Sequence, residues 1–231
     1  MPFQLLDVDI PADFGEVIKC QWTAYENPFQ RFFRLYCPIL GNGPNARAES
    51  IKESTERQLA WHHSEPEGHW IKVVDSSGKI AGASLWKIFA TSPPENGDSG
   101  EEEADWHPEG EAREYATKVL EAFDAPRRTM AKRPHVCVAD LMMNWGRQKA
   151  DEMGVEMWVD AGKLGVPVYE KHGFMVVHTT RVQLAKIDPG ETWKKMDREL
   201  QPLQHWTMWR PPFGDYKEGK VVKPEEVPEK L

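Results

Sequence analysis

The sequence predicts a mixed α/β domain, and three stretches carry that prediction. Phe3 to Ile10 alternates apolar and polar residues and is followed by apolar residues at helical spacing. His69 to Phe89 reads as a β-hairpin rich in Val, Ile and Trp, and between Leu141 and Gln183 helical and strand-like patterns alternate. A chain of 231 residues suits one large domain, and a domain of that size buries roughly 70% of the surface its unfolded chain exposes.

Each element has its own signal. Pro11 is expected to stop the first strand, and Asp13 to cap a helix running through Tyr25 that buries Phe14, Val17, Ile18 and Trp22. From Asn27 to Leu40 the chain is aromatic-rich. Phe29, Phe32, Phe33 and Tyr36 are spaced like one helix face, either as core or as the aromatic wall of a substrate pocket together with Trp86. Gly41 to Pro44 turns the chain, and Asn45 opens a helix to about His63 with Ile51, Thr55 and Leu59 on one side. Strands His69–Asp75 and Lys79–Phe89 flank the loop Ser76-Ser77-Gly78. Residues 91–111 form an acidic insertion, with eight carboxylates and no Lys or Arg from Glu95 to Glu111. It reads as a solvated loop, or as an acidic lip that attracts a cationic amine. A helix follows from Glu111 to Phe123, and Pro126 and Pro134 suggest a constrained surface loop beyond it. His135 to Val138 is a short apolar run, Leu141 to Met153 a helix with Gly154 past its end, and Val155 to Asp160 a strand. Val166 to His172 is a short helix ended by Gly173, Phe174 to Gln183 a strand, Pro189 to Leu200 a helix and His205 to Arg210 a last strand. Residues 1–210 thus form the folded domain, and 211–231, with four prolines and many charges, an extended or disordered tail.

Composition removes several function classes. With 29 Lys and Arg against 37 Asp and Glu the net charge is −8, so the chain lacks the clustered basic residues that neutralise nucleic-acid phosphates. No apolar run approaches the roughly 20 residues that span a bilayer, and the first residues do not read as a secretory signal. Three cysteines without a Cys-x-x-Cys pair fit reduced thiols in an intracellular, cytoplasmic protein. No metal site is expected: His62 and His63 are adjacent, point about 100° apart on a helix, and have no spaced ligand partner. A nucleophile elbow, a P-loop and a dinucleotide fingerprint are all missing from the sequence.

What remains is the run WGRQKADEMGVEMWVDAGKLGVPVYEKHGF, Trp145 to Phe174. Its helix, strand, Asp160-Ala161 and closing Tyr169-Glu170-Lys171-His172-Gly173-Phe174 resemble the GCN5-related N-acetyltransferases, in particular a subfamily common in filamentous fungi. The resemblance extends over about Phe3 to Arg210. It implies a largely antiparallel, twisted sheet with helices on both faces, and acetyl-coenzyme A as cosubstrate in the opening between two splayed strands. It also implies that Tyr169 protonates the departing thiolate; a phenol of pKa about 10 stays protonated at neutral pH and is matched to a thiol. Val138, Ala139, Asp140, Val159, Ala161 and Tyr169 would line the cofactor. Asp160 would position or deprotonate a primary amine of unknown identity, or simply cap the strand end.

The resemblance breaks at one place. Where the superfamily has a Gln/Arg-x-x-Gly-x-Gly/Ala loop whose amides hold a pyrophosphate, this chain reads Arg133-Pro134-His135-Val136-Cys137-Val138-Ala139-Asp140-Leu141. Roughly a dozen residues are missing by the usual strand and turn lengths. Arg127, Arg128, Lys132 and Arg133 are the candidates to replace the lost charge. The gap is a dropped segment of a gene model or the mark of a degenerate binding module that has lost acetyl-coenzyme A. Oligomeric state is left open.

Overall fold

The computed structural model describes residues 3–92, 103–139, 142–216 and 221–224. The chain is mixed α/β, with a largely antiparallel arrangement of strands, and divides into two compact units: one built on residues up to Lys87, the other on Ile88–Ala139 and the residues from Met143 onward.

In the first unit β1 (Gln4–Asp7) is short, and all four residues are exposed. The alternating run predicted a strand to Ile10, but helix α1 (Ile10–Glu26) begins there, because proline's fixed φ and missing N–H suit a first turn. Asp9 is the N-cap, and its backbone N–H donates to the Asp13 carboxylate at 2.8 Å; Asp13 is also paired with Lys72. The buried face of α1 is Phe14, Val17, Ile18 and Trp22, as its spacing predicts. The aromatic stretch yields only one helical turn, α2 (Phe33–Tyr36). Helix α3 (Ala46–Ser64) packs on the α1 core through Ile51 and Leu59, with small residues between them: Ser54, fully buried, accepts the Trp22 indole N–H at 2.9 Å. Strands β2 (Gly68–Val74) and β3 (Ile80–Phe89) form the expected antiparallel hairpin, with β1 paired antiparallel to β2. Its turn is held by Asp75, whose Oδ1 accepts the N–H groups of Ser77 and Lys79, and by Gly78 at φ +83°.

In the second unit helix α4 (Glu111–Met130) runs seven residues past the expected end at Phe123, straight through Pro126. The hydrogen bond proline removes is outweighed by what the last turn gains. Arg127 pairs with Asp124 and Asp160, and Met130 and Ala131 pack on Trp158 and Trp209. Strand β4 (His135–Ala139), helix α5 (Met143–Met153), strand β5 (Glu156–Ala161), helix α6 (Val166–Glu170), strand β6 (Met175–Val182), helix α7 (Glu191–Leu200) and strand β7 (Leu203–Arg210) follow. The strand order is β4-β5-β7-β6, with β4 parallel to β5 and the other pairs antiparallel. Alternation gives β5 two faces. Glu156, Trp158 and Asp160 lie with Thr207 and Trp209 on the side covered by α4. Met157, Val159 and Ala161 lie with Met208 and Arg210 on the side of α5, whose Asp151 binds Arg210. Helices therefore cover both faces of this unit. Of the tail, a 3-10 turn (Pro212–Gly214) leads to Tyr216, whose ring stands edge-on to Trp209 at 6.4 Å.

Candidate functional site

Two parallel strands and the helices that follow them build the site. The β4–β5 register runs from His135↔Glu156 to Val138↔Val159, and β5 continues through Asp160 and Ala161. Val159 and Ala161 are buried. Val138 and Ala139 are the last residues of β4, and Asp140 lies outside the described residues.

Helix α5 starts at Met143, and its first turn carries no carboxylate to oppose an anion. Its other end is anchored: Arg210, 2% exposed, donates Nη1 and Nη2 to the two carboxylate oxygens of Asp151 at 2.8 and 3.1 Å. Arg147, one turn into α5, reaches His172 Nδ1 at 3.4 Å. Burial, then the charges of Arg147 and Arg210, hold His172 below the usual histidine pKa.

Tyr169 is 5% exposed on α6. Its ring lies 5.8 Å from Phe174 and close over Gly165, where an added Cβ would come within 2.9 Å of Tyr169 Cε2. Gly173, at φ +86°, reverses the chain so that the Phe174 N–H can donate to the Tyr169 carbonyl at 3.2 Å. The spacing of Tyr169, Gly173 and Phe174 thus has a local cause: a one-turn helix, a left-handed glycine and a ring folded back on the helix.

Asp160 belongs to the opposite face from α5. Its Oδ2 accepts Arg127 Nε at 2.8 Å, its Oδ1 accepts the Thr207 hydroxyl at 2.9 Å, and His205 Nε2 stands 3.7 Å away. The His205 ring is edge-on to Phe123 at 4.4 Å, and burial pushes its pKa down. Thr207 and His205 were not singled out in the sequence, and Arg127 was singled out only as a substitute charge for a phosphate loop, not as a partner of Asp160. The alternation of His205, Thr207 and Trp209 along β7 was the available signal, and it required knowing which strand lies beside β5. Glu156, four residues before Asp160 on the same face of β5, is enclosed by the indole N–H groups of Trp158 and Trp209 at 2.9 and 3.0 Å and by Arg133 at 2.5 Å.

Three of the four basic residues expected to replace a phosphate loop are otherwise engaged. Arg127 and Arg128 are helical, Arg128 bonding the Glu121 carbonyl at 3.5 Å, and Arg133 pairs with Glu156; Lys132 is exposed. The aromatic set disperses as well. Phe33 and Trp86 are buried in the core, Phe32 stacks edge-on to Tyr25, and Phe29 is 54% exposed beneath the Arg34 guanidinium. Of the acidic insertion, residues 93–102 lie outside the described residues; within the rest, Ala104 and His107 are buried.

Comparison with solved structures finds the same architecture. A protein from Corynebacterium glutamicum described as histone acetyltransferase HPA2 and related acetyltransferase superposes with TM-score 0.50 at 18% identity, over 92% of this chain and 97% of that one. The C-terminal condensation domain of Ebony, solved with beta-alanyl-dopamine, gives TM-score 0.52 at 11% identity, over 91% and 99%. A GNAT superfamily phosphinothricin acetyltransferase from Sinorhizobium meliloti, solved with AcCoA, aligns at TM-score 0.42 and 10% identity over 96% of each chain. At such identities the likeness of the first two is one of fold. Neither a scan of protein-family models nor a search of curated proteins gives a match.

Proposed function

We propose that residues 1–210 form an N-acetyltransferase domain that moves an acetyl group from acetyl-coenzyme A to a primary amine. The observation that carries this reading is Tyr169, buried on the short helix that follows β5 and packed against Gly165 and Phe174. An acetyl thioester lying along β5 would meet the backbone N–H groups of Val159 to Ala161, which polarise its carbonyl. The amine nitrogen attacks the carbonyl carbon, the C–N bond forms, and the C–S bond breaks as the thiolate leaves. Tyr169 gives its phenolic proton to that thiolate, and the proton released by the amine returns through solvent to the phenolate.

The residues present fit the cosubstrate in part. The first turn of α5 carries no carboxylate, and helix-start N–H groups of this kind would face a pyrophosphate. Arg127, Arg128 and Arg133 are committed to carboxylates or a carbonyl, which leaves exposed Lys132 and Arg147, one turn into α5 beside His172, as the basic residues that would reinforce the binding. On the α4 face, Asp160 and Asp124 outnumber Arg127 by one charge, which favours an approaching ammonium group.

The test is calorimetric titration of the protein with acetyl-coenzyme A, followed by thiol-release assays over a panel of primary amines. Micromolar binding and turnover that drops at least about tenfold in Tyr169→Phe are expected, the usual scale for losing a general acid being 10²–10⁴. A folded protein without detectable binding would overturn the enzyme reading and leave the fold serving as a binding module. Full turnover in Tyr169→Phe would remove the proposed acid.

A further inference from the structure

On the α4 side of β5, a histidine stands behind the carboxylate that would receive the amine. His205 of β7 is 6% exposed, opposite Thr180 of β6 and edge-on to Phe123 of α4. Neither ring nitrogen has a hydrogen-bond partner among the described residues. Its Nε2 lies 3.7 Å from Asp160 Oδ1, within reach of an ion pair and too far for a hydrogen bond. A carboxylate repels the lone pair of a neutral imidazole and attracts an imidazolium, so this is a gap that a proton would close.

Asp160 has capacity for both neighbours. An ionised carboxylate offers about four acceptor sites. Arg127 Nε takes one on Oδ2 at 2.8 Å and the Thr207 hydroxyl one on Oδ1 at 2.9 Å. Two remain, one for an incoming ammonium and one for His205. The Asp160 side chain is 27% exposed and that of His205 8%, so a substrate meets the carboxylate and not the ring.

The groups around the ring set its charge. Burial, the largest influence, favours the neutral form; Asp160 opposes it, His178 of β6 and Arg127 of α4 side with burial, and the Phe123 backbone sides with Asp160. Arg127 is itself paired with Asp124. The balance holds His205 below the usual histidine range, so that at neutral pH the ring is uncharged and can take up a proton.

We propose that His205 is the proton acceptor for the amine, acting through Asp160. The step rests on the acetyl-transfer reading. An ammonium ion has no lone pair with which to attack until it sheds a proton. One N–H bond breaks, its electron pair stays on nitrogen, and the proton passes to Asp160 and from there to His205 Nε2. What results is a free amine beside an imidazolium–carboxylate ion pair. After the product leaves, the imidazolium returns its proton to water through Asp160. His205 thus holds a proton without touching substrate.

The experiment joins nuclear magnetic resonance of the imidazole nitrogens, in the whole chain from pH 5 to 8, to the pH profile of thiol release with acetyl-coenzyme A and a panel of primary amines. The His205 signals are assigned through the contact of its ring with Phe123. Asp160→Asn removes the charge that steadies the imidazolium and should lower the pKa of His205 by at least about 1. In wild type, kcat/KM should fall on the acid side at the pKa measured for His205. His205→Gln should lose that acid limb and at least about tenfold in kcat, with the KM for acetyl-coenzyme A unchanged. Asp160→Asn, at a partly exposed position, keeps the test decisive if the buried His205→Gln does not fold. An unmoved His205 pKa in Asp160→Asn, or an acid limb that persists in His205→Gln, would overturn the proposal and leave acetyl transfer standing. Failure of the wild type to bind acetyl-coenzyme A, or to acetylate any amine of the panel, would remove the acetyl-transfer reading and this step with it.

Discussion

Replacing Asp151 by alanine should destabilise the protein more than replacing its partner, Arg210, by methionine. The asymmetry follows from burial. Arg210 is 2% exposed, whereas the Asp151 side chain is 32% exposed. Around the guanidinium the packing is close: Met157 Sδ lies 3.7 Å from Nη1, and a Cβ placed on Gly214 would come within 3.0 Å of Nη2. Removing Asp151 therefore strands a charge that water cannot easily reach, and breaking a buried pair in this way costs about 3–5 kcal/mol. Because Asp151 is itself partly solvated, the loss should fall near the lower end, about 3 kcal/mol. Arg210→Met leaves an apolar side chain of similar reach in the same slot and strands only a carboxylate that can hydrate, for about 1–2 kcal/mol.

Unfolding entropy of about 2.1 cal/mol/K per residue converts 3 kcal/mol into a fall in Tm of about 6 °C for a cooperative chain of 231 residues. Urea unfolding followed by circular dichroism would measure both variants and the double variant, which should recover part of what Asp151→Ala loses. Arg210→Met proving the more damaging of the two, or Asp151→Ala costing less than about 1 kcal/mol, would refute the reasoning, since either result means that Arg210 is hydrated in solution. The same variant tests a functional link. If the Asp151–Arg210 pair holds α5 against β7, its loss should raise the KM for acetyl-coenzyme A more than it lowers kcat.

Other outcomes follow from single contacts. Burial, with help from the Arg127 charge, pushes the His135 pKa down to about 4, while its ring stays bonded to the Arg133 carbonyl. The unfolded chain therefore binds more protons than the folded one between about pH 4 and 6.5, so stability is full above 6.5 and falls with pH across that window. His135→Gln should flatten part of that fall, worth at most about 2 kcal/mol between pH 7 and pH 5, as read from urea midpoints at those two values. Ser54→Ala should cost about 1–3 kcal/mol by leaving the fully buried Trp22 N–H without its acceptor, while Ser54→Thr should cost less if its hydroxyl reaches the indole. Gly165→Ala should displace the Tyr169 ring, which a Cβ would meet at 2.9 Å. In the thiol-release assay it should resemble Tyr169→Phe while leaving the Tm within a few degrees.

Elements whose residues speak only to their neighbours were legible in the sequence. The β2–β3 hairpin, α1's buried face and the short helix ended by Gly173 all depend on contacts within a few residues, and periodicity and turn chemistry found them, whereas Tyr169 and Phe174 were picked out by the family resemblance. Two prolines misled for one physical reason. Pro11 and Pro126 were read as breaks, yet a first turn has no intrahelical use for its N–H, and a long helix can spare one bond when its last turn is fastened elsewhere. The surroundings of Asp160 were not legible. Arg127 is 33 residues away in sequence and Thr207 is 47, and only the order β4-β5-β7-β6 brings them to the same carboxylate. The aromatic residues erred in the other direction: Phe29, Phe32 and Phe33 are close in sequence, but a single helical turn leaves Phe33 inside and Phe29 out.

Strand β5 explains how little sequence the proposed chemistry requires. Successive side chains alternate sides, so Val159 and Ala161 face α5 while Asp160, between them, faces α4. Donor and acceptor would thus be received on opposite sides of one strand, with no residue serving both. The link from Ala139 to Met143 then sets a limit on the donor side. Four steps of chain span at most about 14 Å, so the α5 N-terminus is tethered within that distance of the β4 end whatever path residues 140–142 take. The link, Asp140-Leu141-Met142, brings no basic residue of its own, so the donor side would rest on the first turn of α5. Affinity for acetyl-coenzyme A should accordingly depend on helix N–H groups and fall little as salt rises from 50 to 200 mM, whereas a site built on Lys and Arg would weaken steeply.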